Sequence, residues 1–187
     1  MKDSKNIILM GPPASGKGTQ AKLLLEKFKT YYYISTGQLF RKLIEEDTDT
    51  GQRVKDVVES GGLPFDDLGT TLWMYDIAFN VKKDQGIIAD GFPRRLQEAK
   101  DLDAFLKFLD RKKNIYFFLI EISENEAQKR LVKRGRKDDD PESVTNRFKI
   151  YRRRTIPALN YFKKHLIKIN GEQTIENVFK DILQALK

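Results

Sequence analysis

The sequence predicts an α/β fold in which helices pack on a five-stranded parallel sheet as a three-layer sandwich. Short apolar segments alternate with longer amphipathic segments along the whole chain, and this alternation is typical of β-α-β units. No internal repeat or low-complexity segment interrupts it. A length of 187 residues favours one domain with modest insertions.

Five apolar segments are predicted to be the strands. The segment NIILM carries no charge and fits a buried strand, as do GIIA and IYFFLI. A run of tyrosines and the segment LIKI have the length and β-favouring side chains of two further strands. In chain order, the predicted strands are 6–10, 31–34, 86–89, 115–120 and 166–169.

Amphipathic segments between these strands are predicted to be helices. Pro157 is expected to end or bend the helix predicted before it, because proline lacks an amide hydrogen. A polar stretch over 135–141 breaks the helical pattern. The predicted helices are 16–28, 36–46, 50–60, 65–82, 96–109, 124–134, 142–155 and 175–186.

The composition is that of a globular protein with a basic surface. Hydrophobic residues make up 40% of the chain, charged residues make up 33%, and the net charge is +8. No apolar run is long enough for a membrane span, and the four apolar residues before Gly11 are too few for a signal peptide. The chain has no cysteine, which excludes disulfides and cysteine-ligated zinc. These features predict a soluble cytoplasmic protein, and the charge alone fits nucleic acid, a membrane surface or small anions.

The strongest motif is Gly11-Pro-Pro-Ala-Ser-Gly16-Lys17, which has the G-x4-G-K spacing of a P-loop. It lies directly after a predicted strand and before a predicted helix. In that setting, backbone N–H groups and the helix dipole favour a phosphate, and Lys17 brings a charge to the outer phosphates. Gly18 follows Lys17 where many P-loops have a metal-binding hydroxyl, and Thr19 comes one place later.

Further motifs make the sequence similar to one enzyme family. The order of these motifs over about residues 6–173 resembles the nucleoside monophosphate kinases, and in particular the adenylate kinases with a short lid. The segments that carry the resemblance are KGTQ at 17–20, ISTG at 34–37 with Arg41, DGFPR at 90–94, RLVKRGR at 130–136 with Asp138 and Asp139, and Arg147.

The resemblance implies an activity and a domain organisation. The expected reaction is Mg²⁺-dependent, reversible transfer of the γ-phosphoryl group from ATP to AMP, which yields two ADP and serves nucleotide interconversion and energy homeostasis. The whole chain, 1–187, would form one kinase domain. It would carry an NMP-binding insertion at about 35–64 and a short lid at about 134–141, and closure of both would exclude water from the reaction.

The resemblance also implies roles for particular residues. Catalytic roles fall on Lys17, Arg94, Arg134, Arg136 and Arg147. ATP contacts fall on Ala14, Ser15, Gly16, Lys17, Gly18, Thr19, Arg130, Arg134 and Gln173. AMP contacts fall on Thr36, Arg41, Gly62, Leu63, Pro64, Gly91, Phe92, Pro93, Arg94, Glu98, Arg136 and Arg147.

Asp90 is the candidate metal-site residue. It ends a predicted strand, and the carboxyl ends of parallel strands face the ligand crevice. A carboxylate there can hold Mg²⁺ through water, since Mg²⁺ keeps much of its hydration shell. The pattern alone also fits an aspartate in a turn or helix cap, and the neighbouring motifs favour the metal role.

Base selection is where the sequence departs from the family pattern. Thr36 favours AMP, but the adenine-reading glutamine of the family falls on Glu98, with Gln97 one place earlier. An ionised carboxylate only accepts hydrogen bonds, whereas an amide also donates. Either the helix presents Gln97 or Glu98 reads the amine alone, and the early proline in 61–66 adds a second departure.

Two alternative functions and several side roles stay open. Glu98 and Pro64 keep a UMP/CMP-type kinase in play, and the basic run 152–154 keeps a nucleic-acid-binding protein in play as a distant rival. We expect no nucleic acid or membrane partner and a monomer, because the chain can form its own core. The tyrosines at 31–33 are predicted to pack in the sheet, and Trp73 in the core.

Overall fold

The computed structural model describes residues 4–135 and 140–186, and it confirms the predicted five-stranded parallel sheet. Every strand pairing in the sheet is parallel. The observed strands lie within one or two residues of the predicted ones. They are β1 (Asn6–Met10), β2 (Tyr32–Ser35), β3 (Ile87–Asp90), β4 (Ile115–Glu121) and β5 (Leu166–Asn170).

The spatial order of the strands is β2-β3-β1-β4-β5, so β2 and β3 lie on one side of β1 and the chain then crosses to the other side for β4 and β5. A change of direction of this kind opens a crevice at the carboxyl ends of the central strands. In the β1–β3 register, Leu9 lies opposite Asp90. The end of β3 is therefore next to the loop that follows β1.

Helices cover both faces of the sheet, as the α/β prediction required. They are α1 (Lys17–Lys27), α2 (Thr36–Glu45), α3 (Asp49–Glu59), α4 (Asp66–Asn80), α5 (Leu96–Phe108), α6 (Glu124–Arg134), α7 (Pro141–Ile150), α8 (Ile156–Tyr161) and α9 (Ile175–Ala185).

Strand β1 is buried on both faces and divides two hydrophobic cores. Ile7 and Leu9 pack in the core that includes residues of α1 and α9. Ile8 and Met10 point the other way, into the core formed with α4, α5 and α8. This alternation follows from the two-residue period of a strand and fixes the position of the loop after Met10.

Pro157 does not end the helical path, in contrast to one of the two outcomes expected from the sequence. Helix α7 ends at Ile150, a π-helical turn spans Tyr151–Thr155, and α8 then carries Pro157 in its first turn. The Ile156 amide donates to the Tyr151 carbonyl five residues earlier. A proline is tolerated in a first turn because its missing donor would be unpaired there.

The segment after α3 is fastened to the start of α7. The Ser143 hydroxyl donates to the Glu59 carbonyl at 2.8 Å, and the Asn146 amide donates to the Ser60 carbonyl at 3.0 Å. Gly61 is so close that an added Cβ would lie 2.3 Å from the Ser143 carbonyl oxygen. These contacts join two segments that are distant in sequence.

Within the described residues, no helix has both the length and the apolarity needed to cross a membrane.

Candidate active site

A cleft of about 1390 Å³ opens at the carboxyl ends of β1 and β3. This volume exceeds the roughly 300–1,000 Å³ of pockets that hold one small ligand, so the cleft has room for two. Most of the predicted site residues line it. Those residues are Ala14, Ser15, Gly16, Lys17, Gly18, Thr19, Arg41, Gly62, Leu63, Pro64, Asp90, Gly91, Phe92, Pro93, Arg94, Arg130, Arg134, Arg147 and Gln173.

The loop after β1 has the backbone of a phosphate cradle. Gly11 and Gly16 have φ angles of 146° and 91°, and Ala14 has a φ of 60°, which is uncommon for a residue with a side chain. An added Cβ at Gly11 would lie 2.4 Å from the Ile120 carbonyl oxygen, so the loop can follow this path only with glycine there. The loop thus curls back over the sheet in front of α1.

The amino end of α1 is left open by the protein itself. Gly16 is the cap residue, no side chain caps the helix, and its first turn has no acidic residue. Most helices satisfy some of these backbone donors with a side-chain oxygen. An anion placed in the loop is the natural acceptor for them, with support from the helix dipole.

Lys17 folds over the loop and contacts its oxygens. Its ammonium group donates to the carbonyls of Gly11 and Pro12 at 3.0 and 2.8 Å, and to the Ser15 hydroxyl at 3.1 Å. Burial lowers the pKa of this amine to about 8, Asp90 opposes that effect, and Arg94 and Arg134 add to it. The arrangement places a concentrated positive charge where the outer phosphates of a nucleotide would lie.

Asp90 lies at the end of β3, beside the loop. The Tyr33 hydroxyl donates to Asp90 Oδ2 at 3.1 Å, and an added Cβ at Gly18 would lie 3.6 Å from the same oxygen. The missing side chain at Gly18 therefore leaves space between the P-loop helix and the carboxylate. Among the described residues, no group of three or more His, Cys, Asp or Glu could hold a metal. A single carboxylate fits a hydrated Mg²⁺ that takes its other ligands from phosphate and water.

Arg94 is fixed at the centre of the cleft by its own segment. Its Nε donates to the Gly91 carbonyl at 2.7 Å, and its backbone amide donates to Glu98 Oε2 at 2.6 Å. Burial lowers the pKa of the guanidinium, while Glu98 and Asp90 oppose that effect. Arg94 lines the cleft together with the other site residues.

The other predicted arginines approach from separate elements. Arg41 lies on α2, Arg134 at the end of α6, and Arg147 on α7, and all three line the cleft. Arg130 pairs with Glu126 and donates to the Gly171 carbonyl at 2.9 Å, which ties α6 to the turn after β5. Arg136, with Asp138 and Asp139, lies outside the described residues.

The turn after β5 holds Gln173 by two hydrogen bonds. Its amide donates to the Asn170 carbonyl at 3.0 Å and to Asp181 at 2.7 Å. Those bonds fix the shape of the turn, and Gly171 and Gln173 line the wall of the cleft.

A small side pocket of about 20 Å³ branches from the cleft near α2, α4 and α5. Thr36 and Glu98, the two residues predicted to contact the AMP base, both line it. The Thr36 hydroxyl donates to the Gly91 carbonyl at 2.8 Å. The other lining residues are Phe40, Leu63, Pro64, Phe65, Gly69, Gly91, Arg94 and Arg95.

Glu98, not Gln97, faces this pocket. Glu98 is only 4% exposed, whereas Gln97 is on the exposed side of α5, where its amide donates to Asp101. Glu98 Oε1 accepts from the Trp73 indole at 3.1 Å, and Oε2 accepts from the Arg94 amide. Burial raises the pKa of the carboxyl, and the Arg94 amide and guanidinium oppose that rise.

Sequence reasoning missed two residues that hold the site. Trp73 is buried in the core, as expected, but its indole also fixes Glu98, and its ring stacks on Phe92 with centroids 5.0 Å apart. Tyr33 packs in the sheet, as expected, but its hydroxyl also holds Asp90. For Tyr33, a signal was present, because it is two residues before the end of β2, which pairs with β3.

The basic run at 152–154 lies outside the cleft. Arg152 pairs with Glu124, and Arg154 donates to Asp66 at 2.7 Å. All three arginines are exposed, and none of them lines the cleft. The run is a solvated, partly ion-paired surface.

Comparison with known proteins agrees with the site. The family model for adenylate kinase matches residues 9–167. An adenylate kinase of Prochlorococcus marinus (strain MIT 9515) is 37% identical over 185 residues, which covers 97% of this chain and 98% of that protein. Adenylate kinases of Azobacteroides pseudotrichonymphae and Mycobacterium tuberculosis are each 38% identical, over 97% and 96% of this chain and 96% and 98% of theirs. The chain therefore belongs to the adenylate kinase family.

Proposed function

We infer that the protein catalyses the reversible transfer of the γ-phosphoryl group between ATP and AMP, which yields two ADP. The observation that carries this function is the meeting of two phosphate-binding regions in one cleft. The P-loop with Lys17 lines the same cleft as three arginines from other segments, Arg41, Arg94 and Arg147. This cleft has room for a donor and an acceptor nucleotide together.

The chemistry asks mainly for charge stabilisation and alignment. Negative charge spreads over the oxygens of the transferring phosphoryl group, so cations fixed around it lower the barrier. Lys17, Arg94, Arg134 and Arg147 supply that charge from four separate elements. No general base is needed, because the attacking phosphate oxygen of AMP carries no proton.

Magnesium belongs beside Asp90. When bound, Mg²⁺ neutralises and aligns the outer phosphates of ATP. Asp90 would hold it through water, and the Tyr33 hydroxyl would keep the carboxylate in one orientation.

Each nucleotide has a base end as well as a phosphate end. We place the ATP adenine against the turn at Gly171 and Gln173, where main-chain contacts tolerate changes of side chain. The AMP base belongs in the cleft at the mouth of the side pocket, with one edge toward Thr36, Glu98 and Leu63, and its phosphate lies on Arg41 and Arg94. Arg136 completes the arginine set in this proposal, as the family pattern implies.

Two insertions would close over the bound nucleotides. We propose the NMP-binding insertion at about 35–64 and the lid at about 134–141. The bonds from Ser143 and Asn146 to Glu59 and Ser60 support this, because they join the segment that follows the lid to the NMP-binding insertion. Closure would exclude water and so suppress ATP hydrolysis.

Nothing in the site favours the rival functions. Neither the UMP/CMP alternative nor nucleic-acid binding is supported by any contact of the described residues. A cytoplasmic location and a monomeric state stay predictions. Light scattering at micromolar concentration tests the monomer, and a stable dimer would contradict it.

The direct test is a coupled assay of ADP formation with ATP and each of AMP, CMP, UMP and GMP. AMP is expected to have the highest kcat/KM, with CMP next because cytosine also has an exocyclic amine. A reaction with ATP alone is the control for hydrolysis. Absence of ADP formation with AMP, or a clear preference for UMP or CMP, would overturn the proposal.

A further inference from the structure

Gly69 lies within helix α4 (Asp66–Asn80), in the wall of the side pocket. It is buried. Glycine in the interior of a helix is unfavourable compared with alanine, because it has more backbone freedom to lose on folding. An interior glycine therefore needs a local reason.

The backbone does not supply that reason. Gly69 is not among the glycines with a positive φ, which are Gly11, Gly16, Gly61, Gly91 and Gly135. Any L-residue can adopt its conformation.

Packing does not supply the reason either. A Cβ on Gly69 would lie 3.5 Å from Phe40 Cζ and 3.8 Å from Glu98 Oε1, which is ordinary van der Waals contact. Gly51, another helical glycine, is different, because its Cβ would lie 2.5 Å from two backbone carbonyl oxygens. Alanine would thus fit at position 69 but not at position 51.

The missing side chain of Gly69 leaves Glu98 Oε1 uncovered on the side of α4. Oε1 already accepts from the Trp73 indole, and a carboxylate oxygen can accept a second bond. The atom that would cover Oε1 from α4 is the Cβ that Gly69 lacks. The pocket is small, about 20 Å³, so it admits only the edge of a ligand, and a methyl group on Gly69 would narrow it further.

We propose that Gly69 is a specificity-determining position, whose missing side chain lets the amino-substituted edge of the AMP base reach the Glu98 carboxylate. This inference rests on the proposed function, because it places the acceptor base at the mouth of the side pocket. The ligand class is a nucleoside monophosphate with an exocyclic amine on its base. Selection of the base then depends on the missing side chain at Gly69 as well as on the Glu98 carboxylate.

The test uses Gly69→Ala and Gly69→Val, with Thr71→Ala as the matched control. Thr71 lies on the exposed side of the same helix, outside the pocket. Both alanine variants improve helix propensity, so both should raise Tm, by about 2–4 °C for Gly69→Ala and less for Thr71→Ala. Only the Gly69 variants should weaken AMP binding, by at least about fivefold for alanine and more for valine.

AMP affinity is best read from the fluorescence of Trp73, which is the single tryptophan of the chain and contacts Glu98. This readout does not depend on turnover. KM for ATP, measured in parallel, should stay within twofold in every variant.

The outcomes separate this inference from the proposed function. If the wild type binds AMP but forms no ADP, the function fails and the role of Gly69 stands on the binding data. If Gly69→Ala and Gly69→Val bind AMP as tightly as the wild type, the inference is overturned while the function stands. A lower Tm for Gly69→Ala would also overturn it, because packing would then require the glycine. A wild type that does not bind AMP would overturn both.

Discussion

The proposed phosphate end of the cleft is built on one continuous stretch over 11–19, whereas the proposed base pocket is assembled from α2, α4, α5 and the loops beside them. The phosphate end uses backbone donors and a lysine, which suit any nucleoside triphosphate. The base pocket uses a buried carboxylate whose two oxygens are already engaged by Trp73 and Arg94. In the proposed site, phosphate binding and choice of base therefore depend on different kinds of contact.

The largest expected effect is at the phosphate end. Lys17→Met should reduce kcat by about 1,000-fold or more, because a fixed charge on the transferring phosphates is lost. AMP and CMP should suffer equally, since Lys17 lies away from the base pocket. Coupled assays with both acceptors, together with thermal melts, measure this.

Lys27→Met is the matched control, because Lys27 is exposed on the same helix and does not line the cleft. Near-normal turnover in Lys17→Met, or an unfolded variant, would remove Lys17 from the proposed site. A change in the ratio of the rates with AMP and CMP would contradict the separation of phosphate binding from base selection.

The phosphate end could be predicted because its signal is local. A P-loop needs adjacent residues in a fixed order between a strand and a helix, and sequence shows that order directly. The parallel sheet was predictable for the same reason, since each strand is a short apolar segment. For the proposed lid, Arg136 was assigned by resemblance and lies outside the described residues, so its role stays a prediction.

The base pocket could be predicted only in part, because its contacts join distant positions. Glu98 was recognisable as a departure from the family, but its bond to Trp73 spans 25 residues. Spacing does not reveal which core residue will donate to a buried acid. Gly69 likewise looks like an ordinary helical glycine until its neighbours are known.

The pH dependence of ATP binding is the second test of the phosphate end. Burial lowers the pKa of Lys17 to about 8 in the free protein, and bound phosphate should raise it again. Binding therefore takes up a proton between about pH 8 and the higher pKa of the complex. Over that range, ATP affinity should fall by up to about tenfold per pH unit.

Calorimetry in buffers of different ionisation enthalpy measures that proton uptake. Lys17→Met should lack it. Folding has the opposite sign, because the unfolded chain keeps its Lys17 proton up to its ordinary pKa of 10.5, so this residue makes the protein more stable as pH rises above about 8. Proton uptake that persists without Lys17 would assign it to another group.

A smaller effect is expected at Asp90, the proposed Mg²⁺ residue. Tyr33→Phe removes the hydroxyl that holds Asp90, and should lower kcat by about two- to tenfold while raising the Mg²⁺ concentration needed for half-maximal rate. Tyr32→Phe is the matched control, since that hydroxyl donates to Asp76 on α4. Equal effects of the two substitutions would indicate that only strand packing is involved.

The central claim about the base pocket is that Trp73 and Glu98 act as one unit, and a double-mutant cycle tests it most directly. Glutamine at position 98 offers one accepting oxygen to two donors, so Glu98→Gln alone leaves the Trp73 indole or the Arg94 amide unpaired. Such a loss costs about 1–3 kcal/mol. Trp73→Phe removes one donor, so the amide of a glutamine at position 98 is then free to face the base.

The measurement is the free energy of unfolding of Glu98→Gln, Trp73→Phe and the double variant, with kcat/KM for AMP and CMP in each. We expect the free energy of unfolding of the double variant to exceed the value expected from adding the two single effects by about 1 kcal/mol. Its preference for AMP over CMP should exceed that of Glu98→Gln by a few-fold. Additive stabilities and an unchanged AMP-to-CMP ratio would contradict this expectation.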